Sequence, residues 1–358
     1  SGDHGTASGR GVLFALSASS DPKCAKARHT LWRAFVFVCL ASSAGTLRSV
    51  SNPLSDRSLG SVALISVACT WGTMIPVITH LSQGWDPFFL GAVRYVGGVP
   101  LLYLALWLKE GAARPLVRPA LWRSLVPGWL GLASFAFIFT IGVSHSNPVI
   151  AAILSAANPV IGAIVGGIVF RQKFDRRLAP AVLLAFVGCA LATVKWSDGN
   201  FTLQLRGGEP LCLIGSSLWA WYSIAIHRWL KGWSQLRIAA NTMAHAAVPL
   251  ILGYLLAREI GWARADLATP QGWDLGIFLW MIAGSVVIGL LLWNFGVSKV
   301  GIVLASIYLN LAPIVAVCLL TIGGQPPTWT QIAGGALVIG GVAWSEFRLL
   351  RGTPPATS

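Results

Sequence analysis

The sequence predicts an all-α polytopic membrane protein with ten transmembrane helices arranged as two inverted five-helix repeats, and three observations lead there. Hydrophobic residues make up 55% of the chain and charged residues 11%, with a mean hydropathy of +0.69, the balance of a chain that lies in lipid. Ten stretches carry few or no charges. Each has about 20 residues, enough to cross a hydrocarbon core of about 30 Å at 1.5 Å per helical residue. Anchors of one half also recur in order in the other. Trp71 and the Gly84-Trp85 pair return 148 residues later as Trp219 and Gly232-Trp233, while "GVS" at 142–144 and Pro159 return 154 residues later as "GVS" at 296–298 and Pro313. Five spans per half is an odd number, so the second copy enters the membrane from the opposite side.

The first span, 59–80, holds Trp71 near its middle and His80 at its end. The second, 88–108, contains Arg94, the one arginine or lysine well inside a span. Seven residues beyond Pro87, it lies about 10 Å along a helix, within snorkelling reach of the outer interface, with an anion contact as the alternative. The third, 121–143, runs into the first "GVS", and the fourth, 148–170, has Asn158 and Pro159 at its centre. The fifth, 178–195, closes the first half, and the sixth, 210–230, opens the second with Trp219 midway and Tyr222 three residues on, nearly on one helical face. The seventh, 238–257, includes His245; the eighth, 273–297, includes Asn294. The ninth, 301–322, carries Tyr308, Asn310 and Pro313, and the tenth, 329–347, the small-residue run "AGGALVIGGVAW". That run and "GAIVGGIVF" in span four offer faces for close helix contact. Neither has the Lys-Ser/Thr ending of a phosphate loop.

The basic residues fall between spans and are lopsided. One set of connections holds Lys109, Arg114, Arg118, Arg123, Arg171, Lys173, Arg176, Arg177, Arg228, Lys231, Arg237 and Lys299; the alternate set holds Lys195, Arg206, Arg258 and Arg264. By the positive-inside rule both termini are cytoplasmic. The net charge of +14 therefore reads as topology rather than as a nucleic-acid surface. Residues 1–58 form an N-terminal segment read as dispensable or artificial, as a peripheral segment, or as a signal, since the apolar centre from Ala34 to Ala41 is too short to span. The first repeat covers 59–196, the second 209–350, and 351–358 is a cytoplasmic tail. The six cysteines include no C-x-x-C, so neither a disulfide framework nor a zinc site is indicated.

"ACTWGTMIPVITHLSQGWDPFFLGAVRYVGGVPLLYLAL", from Ala68 to Leu106, resembles the first two helices of the EamA-type transporters of the drug/metabolite transporter superfamily. The segments around "AANPVIGAIVGG" and "NLAPIVAVCLL" are similar to that family's proline-containing fourth and ninth helices. The wording is closest to the YddG-type amino-acid exporters of bacterial inner membranes, associated with aromatic amino acids. The resemblance implies a multi-pass exporter of the inner, cytoplasmic membrane with amino acids as substrate, read here as a monomer in the bilayer with no nucleic acid, cofactor or metal. Exporters of other metabolites or drugs are the alternative.

A proline costs a helix interior about 3 kcal/mol, so a duplicated one is expected to be used. Pro159 and Pro313 nominally free the carbonyls of Ser155 and Leu309 near the bilayer midplane. The two kinked helices are expected to face each other as hinges and to offer acceptors to a substrate ammonium; a kink absorbed by packing is the bland alternative. A zwitterion with a large side chain needs polar groups for its head and an apolar wall for its tail. Trp71, His80, Asn158, Trp219, Tyr222, Asn294, Tyr308 and Asn310 are the candidates. Core packing, interhelical hydrogen bonds and a structural histidine remain the alternatives. No acidic residue lies in the middle third of a span, which predicts uncoupled uniport or exchange by alternating access, with coupling through a histidine or sodium left open. No H-E-x-x-H, no G-x-S-x-G and no Asp-His cluster occurs, so a membrane enzyme is the remote reading.

Overall fold

The computed structural model describes residues 53–111, 121–172, 179–197, 200–264, 270–300, 305 and 308–352. The N-terminal segment as far as residue 52 and most of the 351–358 tail lie outside them. The described chain is mostly helical. Helix α1, Pro53–Gly72, meets α2, Met74–Leu81, at Thr73, whose hydroxyl donates to the Thr70 carbonyl at 2.6 Å. Hydroxyls that bond back onto the preceding turn bend helices, and here the ladder is loosened, with Thr73 N shared between the Cys69 and Thr70 carbonyls at 3.3 Å each. Helix α3, Pro87–Glu110, starts on Asp86, whose carboxylate accepts the N–H groups of Phe88 and Phe89 at 2.8 and 3.4 Å, and ends at Gly111 with φ of +67°. Next come α4, Trp122–Val126, and α5, Ser134–Ser144, joined without interruption by a π-helical stretch, Pro127–Ala133.

Asn147 caps α6, Pro148–Ala156, by accepting from Val149 and Ile150; α7, Asn158–Ile168, follows at a bend of 56°. Helix α8, Ala179–Ala192, hands the chain to β1, Val194–Ser197, which pairs antiparallel with β2, Asn200–Leu203. This hairpin departs from the all-helical expectation: span five was predicted to reach residue 195, but the helix gives way at Thr193. The second half repeats the plan with α9, Glu209–Trp229; α10, Gln235–Glu259, capped by Ser234; α11, Gly272–Leu279, leading through a second π-helical stretch, Trp280–Ile288, into α12, Gly289–Val300; α13, Leu311–Ile322; and α14, Trp329–Gly352.

Among the described residues, five helical segments are long and apolar enough to cross a bilayer: Ser58–Leu81, Pro87–Glu110, Trp122–Ser144, Gln235–Glu259 and Gly272–Val300. The bent pair α6 and α7 makes a sixth if counted as one span, and α8 and α13 are shorter apolar helices. Leu104, Leu108, Leu130, Phe186, Leu252 and Leu279 stand exposed on the outside of the bundle, as lipid-facing side chains do. The molecule is a multi-pass membrane protein.

Packing is duplicated along with sequence. Helix α1 lies against α12 and α9 against α5; α3 lies against α10; α8 lies against α14. A Cβ added to Gly188 would sit 2.5 Å from the Gly334 carbonyl oxygen, and one added to Gly334 would sit 2.4 Å from that of Gly188, so these two backbones touch. A Cβ on Gly296 would meet Leu64 at 2.5 Å, and one on Gly142 would meet the Cys212 nitrogen at 2.8 Å. Residues 142 and 296 are 154 apart, 64 and 212 are 148 apart, so one contact is the repeat of the other. The π-helical stretches also fall at repeat-related places, since Pro127 plus 154 is Met281. The buried apolar interior gathers around Ile150, Ile153 and Leu154 of α6 in one cluster and around Leu102, Leu132 and Leu250 in another.

Candidate functional site

Two aromatic corners form where the first helix of each half meets a π-helical stretch. A π turn misaligns the backbone ladder and leaves carbonyls open to other donors. In the first corner the Trp71 indole N–H donates to the Ser285 carbonyl at 3.0 Å, and the Trp280 indole N–H donates to the Thr73 hydroxyl at 3.0 Å. The Ser285 hydroxyl in turn donates to Met281 O at 2.7 Å, and Trp71 lies 5.8 Å from Trp293 between ring centres. Both indole bonds tie the loosened α1/α2 junction to the wall opposite.

In the second corner Trp219 lies 5.1 Å from the Phe135 ring and 5.4 Å from Tyr222. Gly131, inside the first π stretch, lets this corner close: a Cβ there would be 2.8 Å from the Tyr222 Cβ. The buried Tyr222 hydroxyl pairs with Thr242 Oγ1 at 2.9 Å, and Thr242 donates to the Ile238 carbonyl at 2.8 Å. That polar pair is neutral and satisfied.

Between the corners stands Arg94, 4% exposed. It does not reach the interface by snorkelling, the first of its two sequence readings. Gly97 and Gly98 on the same helix bring α3 hard against Ile282 and Val286 of the second π stretch, which turns this face inward. The guanidinium donates through Nη1 to Met74 Sδ at 3.7 Å and through Nη2 to the Tyr95 hydroxyl at 3.3 Å; its Nε has no partner. Carboxylates at the ends of this helix and of the second half's eighth span are occupied elsewhere. Asp86 caps α3 and accepts from Arg264 N at 3.1 Å, Glu110 pairs with Arg237 at 2.5 Å, and Asp274 pairs with His80 at 2.8 Å. Among the described residues no carboxylate pairs with Arg94.

The other predicted residues are dispersed. Asn158 opens α7 with its Oδ1 buried and unpartnered. Pro159 does not kink a continuous helix as expected. The helix ends at Ala156, Ala157 N donates to Leu154 O at 3.1 Å, and a new helix starts with Pro159 in its first turn, where a missing N–H costs nothing. Pro159 is exposed, whereas Pro313, in the first turn of α13, is buried; Asn310 precedes that helix, and Tyr308 is half-buried two residues earlier. Asn294 has both amide atoms buried and unpartnered and lines a small pocket with Lys109, Glu110, Ser234, Gln235 and Leu236. Thr140, its repeat mate, also has a buried, unpartnered hydroxyl. His80 stands apart, half exposed in its pair with Asp274 at the end of α2.

The structure thus brings Trp71 together with the α1/α2 junction, and Trp219 with Tyr222, but gives His80 no part in either corner. Thr73, Tyr95, Thr242 and Trp280 were not among the residues predicted for the site. Thr242 had one signal in the sequence, its place 148 residues after Arg94. Among the described residues no group of three or more His, Cys, Asp or Glu could hold a metal ion.

Known proteins fit this arrangement. A solved crystal structure, 19% identical, superposes with a TM-score of 0.57 over 82% of this chain and 98% of its own. The uncharacterized transporter YyaM of Bacillus subtilis is 26% identical over 282 residues, 78% of this chain and 91% of that protein. The aromatic amino acid exporter YddG of Ancylobacter novellus is 21% identical over 295 residues, 80% of this chain and 97% of that protein. The EamA-like transporter family matches twice in tandem, over residues 58–194 and 206–346, so the chain, with its duplicated corners and duplicated π stretches, belongs to that family.

Proposed function

We propose that the protein exports amino acids, aromatic and other apolar ones foremost, across a bacterial inner membrane by alternating access, without an obligatory coupling ion. Ten spans in two inverted halves, 59–196 and 209–350, with both termini cytoplasmic, would form the carrier. One observation carries the reading. The close contact of Gly296 with α1 at Leu64 recurs as the contact of Gly142 with α9 at Cys212. In inverted halves these two contacts lie toward opposite faces of the membrane. Two equivalent seals that can trade places are what alternating access requires.

The remaining parts support the same reading. The helix containing Asn158 and Pro159 is broken rather than bent, which suits a hinge, and Pro313 is its counterpart. Trp71, Trp219 and Tyr222 supply aromatic surface, and Asn158, Asn294, Tyr308 and Asn310 supply polar groups at membrane depth. The described acids Asp56, Asp86, Glu110, Glu209, Glu259 and Asp274 sit at helix ends and Glu346 lies in the last two turns of α14, leaving no mid-span carboxylate among them to carry a proton. The amino-acid substrate is drawn from the name of the similar exporter YddG.

The test is counterflow of labelled phenylalanine in proteoliposomes. Wild type should show saturable exchange that an imposed proton or sodium gradient fails to concentrate. Changing both Pro159 and Pro313 to Ala should lower the rate at least tenfold with the protein still folded. Wild-type rates in that variant would remove the hinge, and ionophore-sensitive accumulation would remove the uncoupled mechanism.

A further inference from the structure

We infer that Arg94 is the anion-binding residue of the transport site, so that the substrate is recognised through a carboxylate. The inference rests on the reading of the protein as a carrier and adds the chemical class of its cargo. A guanidinium keeps its charge at every physiological pH and presents five N–H donors, none of which can be withdrawn. Arg94 is 4% exposed, and its hydrogen-bond partners among the described residues are a thioether at 3.7 Å and a phenol at 3.3 Å, both neutral and both long. Its own neighbour Tyr95 puts a ring centre 4.7 Å from Cζ, a further weak attraction. The Nε edge, which a carboxylate grips with two parallel hydrogen bonds, has no acceptor. A charge held at membrane depth with a vacant edge and no described counter-ion is completed by an anion that arrives from outside the protein.

The surroundings give that anion a mechanical reach. Met74, the thioether partner, opens α2 directly after Thr73, and Thr73 is held by the Trp280 indole of the second π stretch at 3.0 Å. Arg94 therefore rests on a junction where one helix is loosened, its Thr73 N–H shared between two carbonyls at 3.3 Å, and clasped by another. A carboxylate that draws the guanidinium away from Met74 loosens that clasp. The same charge repels cationic cargo, which turns the site toward amino acids and related carboxylates and away from lipophilic cations.

The experiment uses the full chain in proteoliposomes, with phenylalanine counterflow competed by phenylalaninamide, which lacks the carboxylate, and by 3-phenylpropionate, which lacks the ammonium. Phenylalaninamide should compete at least tenfold more weakly than phenylalanine, and 3-phenylpropionate should remain a competitor. Arg94→Gln should weaken phenylalanine at least tenfold and erase the difference between acid and amide; Arg94→Lys, which keeps a charge, should restore part of it. Equal competition by acid and amide in wild type overturns the inference and needs no variant to fold. A folded Arg94→Gln with unchanged affinity and preference also overturns it, and both results leave amino-acid export standing. If wild type moves no amino acid, the carrier reading of substrate fails instead. The inference is then read from thermal unfolding of the solubilised chain: 3-phenylpropionate or inorganic phosphate should stabilise wild type and not Arg94→Gln, while phenethylamine should not. Absence of that difference overturns it.

Discussion

Residues 94 and 242 occupy the same place in the two halves, 148 positions apart, and meet opposite fates. In the second half Thr242 is neutral and fully engaged, bonded to the Tyr222 hydroxyl and to the Ile238 carbonyl. In the first half Arg94 is charged, buried and short of partners. The difference spreads to the neighbours. Helix α9 runs regularly through Trp221, but its counterpart is loosened at Thr73, where one N–H is shared between two carbonyls. Gly72 lets the Ala312 carbonyl come within 2.7 Å of where a Cβ would be, whereas Ala220 stands at the matching place in the second half, and Pro313 is buried while Pro159 is exposed. Duplication has preserved the contacts that hold helices together and released the polar interior to diverge. A pseudo-symmetric scaffold can therefore hold an asymmetric molecule.

The largest effect should come from Gly208, at the entry to α9, set against its repeat mate inside α1. A Cβ on Gly208 would lie 2.2 Å from the Gly142 carbonyl oxygen and 2.6 Å from the His145 carbonyl carbon, backbone that cannot yield. On its mate Gly60 a Cβ would meet the side chains of Lys299 and Val300 at 2.7 and 2.9 Å. Gly208→Ala is expected to cost about 3 kcal/mol and Gly60→Ala about 1 kcal/mol. Thermal unfolding in detergent, followed by tryptophan fluorescence, measures both, and equal losses would break the contrast between the halves.

Glu209 should come next. Its carboxylate, at the entry to the second half, accepts from the backbone N–H groups of Asn147 at 2.9 Å, Arg206 at 3.1 Å and Gly207 at 2.9 Å. Its counterpart in the first half is Ser61. Glu209→Gln removes the charge from those bonds and should destabilise by about 2 kcal/mol in the same assay. A smaller loss, about 1 kcal/mol, is expected for Thr242→Val, which strands the Tyr222 hydroxyl. Adding Tyr222→Phe should recover most of it, because removing both partners leaves nothing unsatisfied. Failure of that rescue would mean that the second half is not the neutral, closed counterpart described here. The smallest effect belongs to His80→Asn. An exposed pair with Asp274 is worth under about 0.5 kcal/mol, and phenylalanine counterflow should not change. A tenfold loss of transport would instead return His80 to the substrate site.

Much of this was legible because rare residues carry position. Trp71 with Trp219 and Pro159 with Pro313 fixed the repeat, and charge-free runs of sufficient length fixed the membrane. Depth was legible for Arg94 but rotation was not. Counting residues from Pro87 gives its height, whereas the direction it faces is set by how closely Gly97 and Gly98 meet Ile282 and Val286. The orientation of His80 was hidden for the matching reason: a residue at a span end can face either way, and its pairing with Asp274, far along the chain, is not written in the local sequence. The π stretches leave little trace in composition, because one extra residue in a turn is chosen by tertiary contacts. The hairpin after α8 does leave a trace, Asp198-Gly199 between two β-prone runs, a turn signal that the apolar run of span five outweighs.

The fixed charge of Arg94 also bears on the membrane in which the protein works. A pathway for solutes in an energised membrane is a danger to the cell if protons or metal cations follow, since each charge that leaks runs down the gradient that drives synthesis and uptake elsewhere. A guanidinium about 10 Å inside a span cannot release its proton to a passing chain of water, and its field opposes every cation that enters. The residue that waits for an anion is thereby a barrier to hydronium, sodium and potassium in the intervals when no anion is bound. A cell could keep many copies of such a carrier open to its cytoplasm without losing its protonmotive force through them.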